Sequence, residues 1–356
     1  MGWVAWLSVY IAYALLLTFL YSGLGLQAHA LDTPIGPEEL TNLVKLIVNS
    51  FFLVAVVNWS KDTYTPTLRR HLDLMLHCTF ALILLQLIVY IEHSGFDKIG
   101  SSESSNAAGY LYDPALCFWG VPEKNVFGAK IALFGFIYLF NYYIWEHRLP
   151  IWRAVIVFLC AFLSNSRTPM AALFIGIIYV LFRHLRIGGR VVLSLCVTAI
   201  LPFILGRLLR VDNFLDPDDG MGVRIVYWST FFSRFSDVSI FGRGFMSAGK
   251  FLATYSPIYL GEPQIHNLFL NNYLDFGIFG SLSYVLFLVF FYRFCQRDSA
   301  VWASWYWTGA FLPLLAIMLT LSTGYDSDTA VYLSAIYIIG HCASRKTSRL
   351  GTEIST

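Results

Sequence analysis

Apolar residues along this chain run in long blocks separated by polar connections. A helix needs about 20 mostly apolar residues to cross roughly 30 Å of hydrocarbon. Ten blocks reach or approach that length: residues 3–25, 39–59, 72–94, 126–145, 150–165, 169–183, 190–206, 266–292, 300–321 and 329–343. The pattern predicts an all-α polytopic membrane protein with about ten transmembrane helices, forming a single integral membrane domain over residues 1–356. The fifth and sixth blocks are short and share a polar hinge, Ser164-Asn165-Ser166-Arg167-Thr168-Pro169. One long polar stretch, residues 207–265, separates the seventh and eighth. Amphipathic runs within it, such as Val226 to Phe235, predict helix lying along a membrane surface. The first block has neither a basic leader nor a convincing cleavage site, so it reads as a retained helix.

Lys and Arg concentrate on alternate connections. Lys61, Arg69 and Arg70 share one, Arg148 and Arg153 the next, then Arg183, Arg186 and Arg190, and then Arg293 and Arg297. Arg345, Lys346 and Arg349 follow the last block. Residues 26–38 and 322–328 carry no Lys or Arg, and 95–125 balances Lys98 and Lys124 with acids. Short basic connections stay cytoplasmic. Both termini are therefore expected inside and the 207–265 loop outside, since long loops translocate regardless of charge. Composition agrees: 57% of residues are hydrophobic, 13% are charged and the mean hydropathy is +0.62, whereas soluble domains are about 25% charged. A net charge of only +2 argues against a nucleic-acid partner. The cysteines show no metal-ligand spacing and read as small packing residues.

Candidate chemistry collects on the outward side. Arg167 in the hinge is an ionisable residue between two apolar runs, a functional position by default. The outer loop carries Arg207, Arg210, Arg224, Arg234, Arg243 and Lys250. A basic outward surface at a bilayer suits an anionic ligand such as a lipid phosphate, which guanidinium forks hold bidentately. Gly222-Val223-Arg224 and Gly242-Arg243-Gly244 combine arginine with glycines that permit close backbone approach. Where this loop re-enters the membrane, His266-Asn267 precedes nine residues and then Gly277-Ile278-Phe279-Gly280. A neutral imidazole there can take a proton from a sugar hydroxyl. The glycines would let that helix pack closely on a neighbour. No phosphate-binding loop, dinucleotide fingerprint or acidic metal cluster stands out, so no cofactor or metal is expected.

Ser166-Arg167-Thr168, Gly222-Val223-Arg224 and His266-Asn267-x9-Gly277-x-x-Gly280, in that order, resemble the bacterial O-antigen ligase and polymerase superfamily over roughly residues 115–343. The resemblance implies a glycosyltransferase C-like helical fold in the inner membrane. It also implies metal-independent transfer of a glycan from undecaprenyl diphosphate to a sugar hydroxyl at the periplasmic face. By the same resemblance, Arg167 and Arg224 hold the donor diphosphate and His266 activates or positions the acceptor. Asn267, Gly277 and Gly280 complete the motif. Arg210, Arg243 and Lys250 are further phosphate candidates by charge and position. Expected partners are the lipid-linked oligosaccharide, membrane lipids and a chain-length regulator. The loop is shorter, and the helices fewer, than ligases commonly have, which favours an O-antigen or exopolysaccharide polymerase. A ligase acting on lipid A core is the alternative within the family, and a lipid-linked glycan transporter the alternative outside it.

Overall fold

The computed structural model describes residues 2–23, 37–95, 112–120, 123–146, 148, 150–164, 166, 168–203, 220–298, 305–321 and 324–354. Among them are twelve α-helices and no strand. Ten match the apolar blocks: α1 (Gly2–Gly23), α2 (Pro37–Asp62), α3 (Thr65–Ser94), α4 (Lys124–Glu146), α5 (Ile151–Leu163), α6 (Thr168–His184), α7 (Ile187–Phe203), α10 (Leu268–Asp298), α11 (Trp305–Thr320) and α12 (Ser327–Ile354). The other two, α8 (Gly220–Ser233) and α9 (Ser247–Tyr255), lie in the expected outer loop. Helices α1, α2, α3, α4 and α10 are long and apolar enough to cross a membrane, and α5, α6, α7 and α11 are shorter apolar helices. The protein is a multi-pass, all-α membrane protein.

The chain divides into two compact units. One comprises residues 62–214, 299–317 and 335–356. Helix α4 is buried along most of its length there. Small residues let its helices close up: a side chain at Gly135 would meet Val157 of α5, and one at Gly176 would meet Pro313 of α11 and Phe136 of α4. Arg153 in α5 is 4% exposed. Its NH1 and NH2 donate to the two carboxylate oxygens of Asp73 in α3 at 2.8 and 3.0 Å.

The second unit comprises residues 1–61, 215–298 and 318–334. Helix α1 packs along α10 through aromatic side chains, with Trp3 edge-on to Phe291 and Tyr10 edge-on to Phe276. The outer-loop helices have an apolar core of their own. Val223, Tyr227 and Phe231 recur at helical spacing on α8 and meet Ala248, Phe251 and Leu252 of α9, Ile265, and Leu274 of α10. The described part of the loop, residues 220–265, is thus a packed element rather than a solvated strap.

Helix α10 departs from its expected form. The block 266–292 predicts one continuous helix, but Gly277 sits at φ 61°, ψ −161° and breaks it. The nine residues Leu268–Phe276 pack with the outer-loop core through Leu270, Tyr273 and Leu274. The following segment, Ile278–Asp298, is long enough by itself to cross a bilayer.

Candidate active site

The break at Gly277 exposes backbone groups that a continuous helix would satisfy internally. The Gly242-Arg243-Gly244 turn supplies the missing partners. Arg243 and Gly244 amides donate to the Asp275 carbonyl at 3.0 and 2.7 Å, and the Ile278 amide donates to the Ile240 carbonyl at 2.9 Å. Both crossing residues must be glycine. A Cβ at Gly242 would collide with the backbone of Asp275 to Gly277, and one at Gly277 with the Ile240 carbonyl. Both also have positive φ, 81° and 61°. A Cβ at Gly280 would run into Phe276 across the kink. Gly277 therefore lets the helix cross a loop closely, while Gly280 also faces Tyr13 of the neighbouring α1.

The crossing is braced by side chains that the sequence pattern does not flag. Tyr13 and Tyr21 of α1 donate their hydroxyls to the Phe241 and Gly242 carbonyls at 2.8 and 3.1 Å. The carboxylate of Asp275, fully enclosed, accepts from the Ser247 amide at 3.0 Å and the Asn271 side chain at 2.9 Å. It thereby holds the N-terminus of α9 by a hydrogen bond.

Asn267 acts as the N-cap of α10. Its side-chain oxygen accepts from the Phe269 and Leu270 amides at 3.0 and 3.2 Å, and its Nδ2 donates to the Leu319 carbonyl at 3.2 Å. His266, immediately before it, has φ 53°, a left-handed conformation that costs a non-glycine residue about 1–3 kcal/mol and must be held by its surroundings. The holding contacts are visible. Trp228 Nε1 donates to the Ile265 carbonyl at 3.0 Å, and the Leu260 amide donates to the Tyr227 hydroxyl at 3.4 Å. Gly249 of α9 gives room for the backbone of Glu262 and Pro263. The His266 ring lies parallel to Tyr227, with centroids 6.4 Å apart. Burial pushes the Tyr227 phenol up, so it remains a neutral hydroxyl.

His266 has an acidic neighbour: its Nε2 lies 2.5 Å from Glu262 Oε2. Its Nδ1 is buried and, among the described residues, has no hydrogen-bond partner. Glu262 was not foreseeable from spacing. A separation of four brings side chains together in a helix, but residues 262–266 are not helical.

Arg224 is 5% exposed and lies one turn from Tyr227 on the buried face of α8. The structure thus brings Arg224 onto the helix face that carries the ring over His266. Arg243 is partly buried at the Gly277 crossing. Lys250 is engaged elsewhere, with its Nζ 3.7 Å from the carboxylate of Glu39 in α2. Arg167 and Arg210 lie outside the described residues. Beside Arg167, Ser164 accepts the Tyr112 hydroxyl at its carbonyl at 2.7 Å, and Ser166 is buried with its hydroxyl unpartnered.

Comparison with known proteins gives a matching frame. No curated protein matches the chain. The family model described as O-Antigen ligase matches residues 152–285, from the start of α5 to the middle of α10. That span contains Arg167, Arg210, Arg224, Arg243, His266, Asn267, Gly277 and Gly280. Over residues 152–285 the chain is therefore similar to the O-antigen ligase family.

Proposed function

We propose that the protein is a glycosyltransferase of the bacterial inner membrane that moves a glycan from undecaprenyl diphosphate to a sugar hydroxyl at the periplasmic face, with both termini cytoplasmic. Its reaction joins one lipid-linked glycan to another, as an O-antigen or exopolysaccharide polymerase. The observation that carries this reading is His266: a strained, preformed imidazole with one nitrogen on a carboxylate and the other unpartnered, one helix face from a buried arginine. The acceptor hydroxyl attacks the anomeric carbon and gives its proton to His266. The bond from that carbon to the diphosphate breaks, and undecaprenyl diphosphate leaves with the electron pair. Arg224, with Arg243 as a further cation, stabilises the charge that develops on the leaving group. The donor is already activated, so the chemistry calls for no nucleotide.

Purified protein with an undecaprenyl-diphosphate-linked oligosaccharide tests this. Arg224→Ala should abolish transfer while the protein still folds, and Arg224→Lys should recover little, because an ammonium lacks the planar fork. Near-normal transfer by Arg224→Ala would overturn the diphosphate role. The description of the matching family favours a second reading, ligation to lipid A core. Supplying either lipid-linked glycan or core as acceptor separates the two: a polymerase makes a ladder on the lipid carrier, and a ligase makes product only with core.

A further inference from the structure

We propose that Glu262 is a positioning residue for His266, fixing the tautomer that leaves Nδ1 as the proton acceptor; the inference rests on the reading of His266 as the base. An ionised carboxylate can only accept hydrogen bonds. At 2.5 Å from Glu262 Oε2, Nε2 of a neutral His266 must carry the ring proton. Which ring nitrogen is free for chemistry is set by the bond the other one makes. Nδ1 is therefore the bare nitrogen, and it is the one without a partner.

The geometry is built before any substrate arrives. Gly261, at φ 78°, opens the turn that carries Glu262. Pro263 stiffens that turn, and Gly249 of α9 lets its backbone sit close. Trp228 fixes Ile265 on the other side. Both members of the pair are thus held on the core of the outer loop; Nδ1 itself is enclosed, so an acceptor hydroxyl meets it only once the side chains over the ring move aside. Glu262 has a second effect with the same sign. Once His266 has taken the proton it is an imidazolium, and the carboxylate beside it stabilises that charge.

Two replacements separate these roles from simple packing. Glu262→Leu keeps bulk but removes the acceptor, and Glu262→Gln keeps an acceptor oxygen without the charge. Full-length protein in lipid nanodiscs is assayed with the lipid-linked oligosaccharide. Ring-15N-histidine spectra of the same samples report the tautomer, and the signal missing from His266→Ala identifies His266. Leu should lower kcat by about 10- to 100-fold, part of the roughly 10²–10⁴-fold a general base supplies. Donor KM should stay within about twofold, because donor diphosphate binding is assigned to the arginines. Its spectrum should show Nδ1 partly protonated. Gln should keep Nδ1 bare and recover part of the rate, short of wild type by the charge stabilisation that a neutral amide cannot supply. Wild-type kcat with an unchanged spectrum in Glu262→Leu overturns the proposal. So does a Gln variant as slow as Leu although Nδ1 stays bare. If His266→Ala itself turns over normally, the base reading fails and the positioning role falls with it. An inactive His266→Ala beside a fully active Glu262→Leu sinks only the positioning role.

Discussion

Arg153 and His266 both bury a polar side chain beside a carboxylate, yet they differ in what is left over. Arg153 has all but one of its polar atoms engaged: two donors on Asp73, a further bond from NH1 to the Tyr138 carbonyl at 3.2 Å, and the rings of Tyr138, Tyr142 and Trp152 at 4.4, 4.8 and 5.1 Å. Asn141 adds a donor to Asp73 at 3.2 Å. Of the Arg153 side chain, only Nε has no partner. His266 has one nitrogen on Glu262, the other unpartnered, and a strained backbone. Burial and a charged neighbour mark both. The strain and the kind of nitrogen left over single out His266, because the unpartnered Nε of Arg153 carries a proton and cannot act as a base, whereas a ring nitrogen of a neutral imidazole can accept one.

The comparison is broken most directly at His266. His266→Ala should bind the lipid-linked donor yet lose about 10²–10⁴-fold in turnover, or roughly 3–5 kcal/mol of barrier. Alanine keeps the left-handed strain and loses the bond to Glu262, so its thermal stability should stay equal or fall slightly. Equilibrium binding of labelled donor and a thermal melt read the two halves separately. A variant that loses donor binding and turnover together would place His266 in binding instead.

At the Arg153 site the two readouts should exchange places. Asp73→Ala leaves the Arg153 guanidinium buried without its counter-charge, which typically costs about 3–5 kcal/mol. Arg153→Met removes the buried charge and leaves Asp73, one-third exposed, able to reach water, so it should be the milder change. Turnover per folded molecule should remain near wild type in both. Transfer lost by a well-folded Asp73→Ala protein would show that Arg153 does more than hold α3 to α5.

These two sites also show what the sequence could reveal. Membrane helices were legible because a bilayer demands long apolar blocks, and ten such blocks became ten helices. His266, Asn267 and Gly277 were legible as a motif, but their division of labour was not. Asn267 is a cap and Gly277 a break, and both depend on partners more than 30 residues away, at Leu319 and Ile240. Glu262 was invisible because a loop brings it to His266, and no periodicity encodes a loop. Tyr13 and Tyr21 of α1 read as ordinary aromatic residues of an apolar helix until the turn they brace was in view. Arg153 read only as a cytoplasmic charge, since its partner Asp73 lies 80 positions earlier.

Between the extremes lies the Gly242–Gly277 crossing, where strain is absorbed by residue choice. Gly277→Ala puts a Cβ against the Ile240 carbonyl on a backbone at φ 61°. Strain of this kind costs about 1–3 kcal/mol before any clash is counted. The crossing must then loosen, and with it the bonds from Arg243 and Gly244 to Asp275. Unfolding should come several degrees earlier, and turnover should fall with little change in donor KM. Gly242→Ala should reproduce both effects, since it meets the same backbone from the other side. Should one alanine be silent and the other severe, the two glycines would not be a matched pair.

The smallest effect belongs to Asn267. Its side chain caps α10 through two amides and ties the cap to Leu319. Replacing an N-cap Asn with Ala typically costs about 1 kcal/mol, whereas Asp or Ser retains the capping oxygen. Asn267→Ser should therefore keep the stability due to the cap and lose only the bond from Nδ2 to Leu319, and Asn267→Ala should lose both. Because Asn267 follows His266 directly, a loosened cap also frees the neighbouring backbone to leave its left-handed conformation. Asn267→Ala should then slow transfer by a few-fold, in step with the roughly 1 kcal/mol lost from the cap. Serine should restore the rate. If Asn267→Ser is as slow as alanine although its melt matches wild type, the amide itself contacts the acceptor. The motif asparagine would then belong with His266 among the reacting groups and not with Gly277 in the scaffold.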